Sequence, residues 1–171
     1  MASPEDLYEE AVRSHGAALD RLSRAYEADP DKRRDLLQDI HIALWRSFEN
    51  YAGRCSLRTW VYRVAHNVAT SHVVSDRRMR SRPLVSIEDI DIADLASASD
   101  RALERNLALE KLTGLIRELK PLDRQLVLLF LEGFDSSSIA EITGLSPSNV
   151  ATRIHRIKIL LTAKFQSGGK S

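Results

Sequence analysis

The chain has 171 residues, of which 43% are hydrophobic and 29% charged, and its formal net charge is +1. That suits one medium or two small globular domains and leaves no bulk positive charge for strong non-specific binding to nucleic acid. A single cysteine, Cys55, excludes an internal disulfide and a Cys-based zinc site, and no apolar run approaches the roughly 20 residues of a membrane-spanning helix.

The opening MASPEDLYEE is acidic and has no apolar signal core, which predicts a cytoplasmic protein with no membrane contact of its own. Helices are expected over about Pro4 to Ser14 and Gly16 to Ala28, with Pro30 in the connection. A third is expected from Asp31 to about Glu49, with Leu37, Ile40, Leu44 and Phe48 recurring at helical spacing as its buried face. That leaves Asp35, Gln38, Asp39, Ile42 and Trp45 toward another side, where polar groups mixed with large apolar ones suit a protein interface.

The segment NYAGRCS interrupts the pattern, and Ser56 is a good N-cap for a long helix from Leu57 to about Met79, closed off by Pro83. Around this helix the basic residues Arg54, Arg58, Arg63, Arg77, Arg78, Arg80 and Arg82 meet one acid, Asp76, with Trp60, Tyr62 and Asn67 interleaved. Guanidinium groups among aromatic rings suit nucleic acid, above all unstacked single strands. His66 and His72 fall on different faces of that helix, so they make no metal-ligand pair. No nucleophile–base set, phosphate loop or cofactor motif stands out, and neither catalysis nor a cofactor is expected.

From Pro83 to Asp100 the composition turns acidic, with Glu88, Asp89, Asp91, Asp94 and Asp100 and no basic residue. This stretch reads as a flexible acidic linker. Helices are expected again at about Arg101 to Leu119 and Leu122 to Glu132.

Then comes DSSSIAEITGLSPSNVATRIHRIKILLTAKF. Asp135 can cap a short helix whose Ile139 and Ile142 point inward, Ala140 allows close crossing, Gly144 suits a left-handed helix end and Leu145 fills the corner. Ser146 and Pro147 are a strong start signal for a second helix with the inner stripe Val150, Ile154, Ile157 and Leu161. This is the pattern a helix-turn-helix needs. The outer face of the second helix offers Ser148, Asn149, Ala151, Thr152, His155, Arg156 and Lys158, with no acidic residue from Ser148 onward. Such a face can neutralise phosphates and reach base edges. The organisation expected is all-α: a helical domain over 1–82, the linker over 83–100, a helix-turn-helix domain over 101–165 and a loose tail over 166–171.

The stretch DLLQDIHIALWRSFENYAGRCSLRTWVYRVAHNVATSH resembles region 2 of an extracytoplasmic-function (ECF) sigma factor, and PLDRQLVLLFLEGFDSSSIAEITGLSPSNVATRIHRIK is similar to region 4. Both motifs, in this order and at this length, are highly specific together. The resemblance implies a protein that binds core RNA polymerase, directs it to promoter DNA and is held in check by an anti-sigma factor. It implies that Asp35, Gln38, Asp39, Ile42 and Trp45 grip the polymerase. Arg54, Ser56 and Leu57 fall in the loop that captures a flipped base of the −10 element, with Trp60 and Asn67 on the same −10 surface. Ser148, Asn149, Thr152, Arg153, His155 and Arg156 fall on the helix that reads the −35 element, and Arg124 matches an arginine that holds a backbone phosphate. The chain departs from the family pattern at Ser137 and Ser138, where an acidic pair is frequent, at Ala151, often basic, and at Ser71, often aspartate. The alternative is a stand-alone dimeric helix-turn-helix regulator on operator DNA, which explains the hairpin but not the arginine–aromatic helix.

Overall fold

The computed structural model describes residues 1–80 and 102–168, so the expected acidic linker and the helix stop at Pro83 lie outside the described residues. Seven α-helices make up the described chain: α1 (Pro4–Tyr26), α2 (Pro30–Ser47), α3 (Leu57–Arg80), α4 (Ala102–Glu118), α5 (Pro121–Leu131), α6 (Ser136–Thr143) and α7 (Pro147–Ser167), with a 3-10 turn at Phe48–Asn50. There is no strand among the described residues.

The helix starts are written locally. Ser3 and Asp6 form a reciprocal capping box at α1, Asp29 accepts from the amides of Asp31 and Lys32 at α2, and Ser56 accepts from the amide of Thr59 at α3. Proline occupies the first turn of α1, α2, α5 and α7, where its missing N–H costs nothing.

Three expectations change. α1 runs unbroken through Gly16 instead of splitting there. A helical glycine costs about 1 kcal/mol, and burial of Ala11 on one side and Ala18, Leu19 and Leu22 on the other outweighs it. On α2 the fully buried residue is Leu36, while Leu37 is only partly covered, so the core stripe reads Leu36, Ile40, Leu44 and Phe48. At the other end α7 continues through Ser167, taking in Gln166 and Ser167 from the expected tail, whose last residues, 169–171, lie outside the described residues.

One core joins α1, α2 and α3 through Leu19, Leu22, Tyr26, Leu36, Ile40, Leu44, Phe48, Val61, Ala65 and Ala69. A second joins α4 to α7 through Ile116, Leu119, Leu126, Leu129, Phe134, Ile139, Val150, Ile154 and Ile157. Ala18 of α1 and Tyr62 of α3 are buried in the second core, and Leu128 packs against both. The two groups of helices therefore lie in direct contact.

Candidate nucleic-acid interface

The helical hairpin forms as its residues dictate. Asp135 accepts from the Ser138 amide at 2.8 Å to start α6. Gly144 ends it at φ 80°, and Ser146 accepts from the Asn149 amide at 3.2 Å to start α7. Ile139 and Ile142 of α6 and Val150, Ile154, Ile157 and Leu161 of α7 are buried between the helices. That burial turns Ser148, Asn149, Ala151, Thr152, His155, Arg156 and Lys158 to the surface. Lys158 lies 4.0 Å over the Phe130 ring, which anchors its ammonium at the edge of this face.

Two residues expected on the same surface are elsewhere. Arg153 turns inward and donates to Asp123 at 2.7 Å. Arg124 is 2% exposed and donates to the carbonyl of Leu119 at 3.0 Å, to that of Arg117 and to that of Tyr26 at 3.4 Å, with its guanidinium 5.4 Å over the Tyr26 ring. Burial pushes its pKa down, with the neighbouring Arg117 acting in the same direction. In this arrangement Arg124 is an internal clip, and its guanidinium does not share the surface of Arg156.

The segment between α2 and α3 is shaped by packing of aromatic rings. Tyr51 donates its hydroxyl to the Cys55 carbonyl at 2.6 Å and packs on Trp60 with ring centroids 5.2 Å apart. Gly53 takes φ 66°, which lets the loop turn back toward α3. Trp60 donates its indole N–H to Ser47 Oγ at 2.9 Å. The result is an open depression of about 430 Å³ lined by Asn50, Ala52, Arg54, Cys55, Trp60, Arg63 and, from α6, Glu141. Arg54, on its lining, is exposed, as is Ser56 in the same segment; Leu57 is partly covered, and Asn67 is exposed further along α3. An indole beside two guanidinium groups in an open depression suits an unstacked base better than a duplex.

Asp35, Gln38, Asp39, Ile42 and Trp45 come together as one exposed strip along α2. Ile42 is 43% and Trp45 44% exposed, and Trp45 meets the Tyr8 ring edge-on at 5.3 Å. The strip sets two carboxylates and one amide beside two large exposed apolar groups on a single helix face.

Sequence reasoning missed the partners of α3. Arg58 donates to the Glu132 carbonyl and lies 3.9 Å over the Phe134 ring, and Arg63 donates to the Glu141 carbonyl at 3.1 Å. No local pattern signals these contacts, since the residues lie far apart in the chain. Among the described residues no group of histidine, cysteine and carboxylate side chains could hold a metal ion, and no helix is long and apolar enough to cross a membrane.

Comparison with known proteins adds independent findings. Residues 4–79 match the family model "Sigma-70 region 2" and residues 109–161 match "Sigma-70, region 4". The RNA polymerase sigma factor NccH of Alcaligenes xylosoxydans xylosoxydans is 27% identical over 162 residues, 91% of this chain and 85% of that protein. The RNA polymerase sigma factor YlaC of Bacillus subtilis is 28% identical over 93% of this chain and 90% of its own length. The fold superposes on the sigma factor RpoE of Bartonella quintana, solved in complex with the anti-sigma factor NepR, with a TM-score of 0.68, 19% identity and coverage of 94% and 96% of the two chains.

Proposed function

Because this chain belongs to the ECF group of sigma-70 factors, carrying both region 2 and region 4, we propose that its three exposed sites divide the work of promoter-specific initiation. It binds core RNA polymerase and directs it to promoters. The α2 strip of Asp35, Gln38, Asp39, Ile42 and Trp45 docks on the polymerase. The depression beside Arg54, Ser56, Leu57 and Trp60 takes a flipped base of the −10 element, with Asn67 reading beside it. The α7 face of Ser148, Asn149, Thr152, His155 and Arg156 enters the major groove at the −35 element.

The observation that carries this division is the coexistence, on one chain, of an exposed basic helix face and an open depression that sets Trp60 beside Arg54 and Arg63. A duplex reader alone has no use for the second. Melting needs no cofactor: unstacking a base costs a few kcal/mol, which capture in the depression offsets. The bond-forming chemistry belongs to the polymerase, so this chain acts as a specificity subunit, not an enzyme, and works in the cytoplasm where the polymerase is. Region 2 occupies the chain up to residue 82 and region 4 residues 101–165, with the acidic stretch 83–100 as spacer. An anti-sigma partner covers the α2 strip and the α7 face, in keeping with the partner-bound state of the superposed Bartonella factor.

The test is transcription in vitro from a pool of fragmented genomic DNA with core polymerase, with and without this protein, and sequencing of transcript 5′ ends. Discrete new start sites sharing two spaced boxes are expected. Tight duplex binding without polymerase, and no new starts, would overturn the reading in favour of an operator-binding regulator.

A further inference from the structure

The two tryptophans of the chain are held in different ways. Trp60 is fixed twice, by its ring on Tyr51 and by its indole N–H on Ser47. Trp45, on the exposed strip of α2, has one aromatic neighbour among the described residues. This is the Tyr8 ring of α1, which meets it edge-on with centroids 5.3 Å apart and planes at 79°. Among the described residues the Trp45 indole N–H takes no hydrogen bond. The orientation of this 44% exposed ring therefore depends on Tyr8.

Tyr8 is itself well fixed. It packs against the first core, and Ala11, one turn further along α1, is fully buried. The Tyr8 hydroxyl is hydrogen-bonded to His41 Nδ1 at 3.0 Å, and the two rings meet edge-on with centroids 6.0 Å apart. His41 and Trp45 lie four residues apart on α2, so they are neighbours on one face and Tyr8 lies against both. Burial pushes the His41 pKa below its ordinary 6.5, which leaves a neutral imidazole as the partner of the phenol near pH 7. Packing alone does not need this hydroxyl, since a phenylalanine ring fills nearly the same space. What the hydroxyl adds is direction: the bond to His41 stops the phenol ring from swinging and so fixes the edge that Trp45 meets.

A large side chain left free to change rotamer must be ordered when a partner docks, and that ordering subtracts from affinity. A ring already held in place avoids the loss. We infer that Tyr8 is a positioning residue for polymerase docking: with His41 it brackets the Trp45 ring in the orientation that polymerase engages, and it acts through Trp45 without touching polymerase itself. The inference rests on the sigma-factor reading of the α2 strip.

The test uses the full chain labelled with 5-fluorotryptophan, whose two fluorine signals, from Trp45 and Trp60, are assigned with Trp45→Ala. Tyr8→Ala should shift and narrow the Trp45 signal and leave that of Trp60 in place, which also reports an intact fold. Where Tyr8→Ala disturbs both signals, Tyr8→Leu replaces it, keeping apolar bulk without the ring. Affinity for core polymerase, measured by competition, should fall about fivefold in this variant. Tyr8→Phe, which keeps the ring and loses the His41 bond, should fall between it and wild type. In a Trp45→Ala background the same Tyr8 substitution should change affinity by less than about twofold, because the ring it positions is gone. A folded Tyr8 variant that binds as tightly as wild type would overturn the bracket. So would a fivefold loss that persists without Trp45, which would make Tyr8 a direct contact. Unchanged affinity in Trp45→Ala alone would instead overturn the docking role of the strip, and the bracket with it.

Discussion

Arg153, on the second helix of the hairpin, turns away from its outer face and donates to Asp123, a carboxylate with 0% exposure at the start of α5, over 2.7 Å. This pair fastens the recognition helix to the domain beneath it. Breaking one half of a buried pair leaves the other charge unsolvated. Asp123→Ala should therefore lower stability by about 3 kcal/mol, read as a shifted urea midpoint with an unchanged slope. Arg156→Ala should leave the midpoint within about 0.5 kcal/mol and remove initiation at promoters with an intact −35 box. Equal stability of the two variants would show that Arg153 is not held by Asp123.

Trp45 should be the dominant contact of the α2 strip. Large aromatic anchors carry most interface energy, so Trp45→Ala should weaken binding to core polymerase by about 2 kcal/mol, roughly 30-fold. Its ring is 44% exposed, and the Tyr8 contact is the modest stabilisation it loses in the free chain. Competition against a labelled wild-type factor for core polymerase would measure the first effect, and thermal unfolding the second, expected below about 1 kcal/mol.

Gly144 carries the turn between α6 and α7 at φ 80°, and a Cβ built there meets nothing within 4 Å. Any penalty for a side chain is thus conformational and not steric crowding by neighbours. Gly144→Ala should cost about 1–2 kcal/mol, and Gly144→Asn less, because asparagine tolerates the left-handed region. Urea denaturation of the three proteins would rank them.

His66 is fully enclosed, 2.8 Å from the Tyr26 hydroxyl, and burial pushes its pKa down to about 3 from an ordinary 6.5. The unfolded chain therefore takes up this proton first as pH falls. The stabilisation is complete above about pH 6.5 and is lost progressively toward about pH 3. Unfolding free energy between pH 6 and 4 should fall by up to roughly 1.4 kcal/mol per unit from this residue, and His66→Gln should flatten the profile by about that slope. A parallel profile in the variant would mean the site takes up a proton without unfolding.

Much of the hairpin was legible because its signals are local. Asp135, Gly144, Ser146 and Pro147 act within a few residues of themselves, and the inner stripe follows the 3.6-residue period. The α2 strip was legible for the same reason: once Ile40 and Leu44 are buried, helix geometry exposes Ile42 and Trp45. Gly16 misled because local propensity argues for a break while packing on both sides decides otherwise. Arg124 misled for a different reason: its guanidinium folds back on the carbonyls at the end of α4 and under the Tyr26 ring of α1, and no periodicity signals either. Arg21 and Glu132 are 111 residues apart, and no periodicity links them.

The unbroken α1 has a consequence for how the chain is made. Leu19, Leu22 and Tyr26 on it belong to the first core, which closes with α2 and α3, whereas Ala18 beside them waits with Tyr62 for helices made much later. Synthesis of the roughly 90 residues from the end of α3 to the end of α7, at about 5–20 residues per second, takes several seconds. During that interval the emerging N-terminal helices leave Ala18 and Tyr62 without the apolar neighbours they later share. The N-terminal helices thus keep part of their apolar surface in water until the last helices have been made.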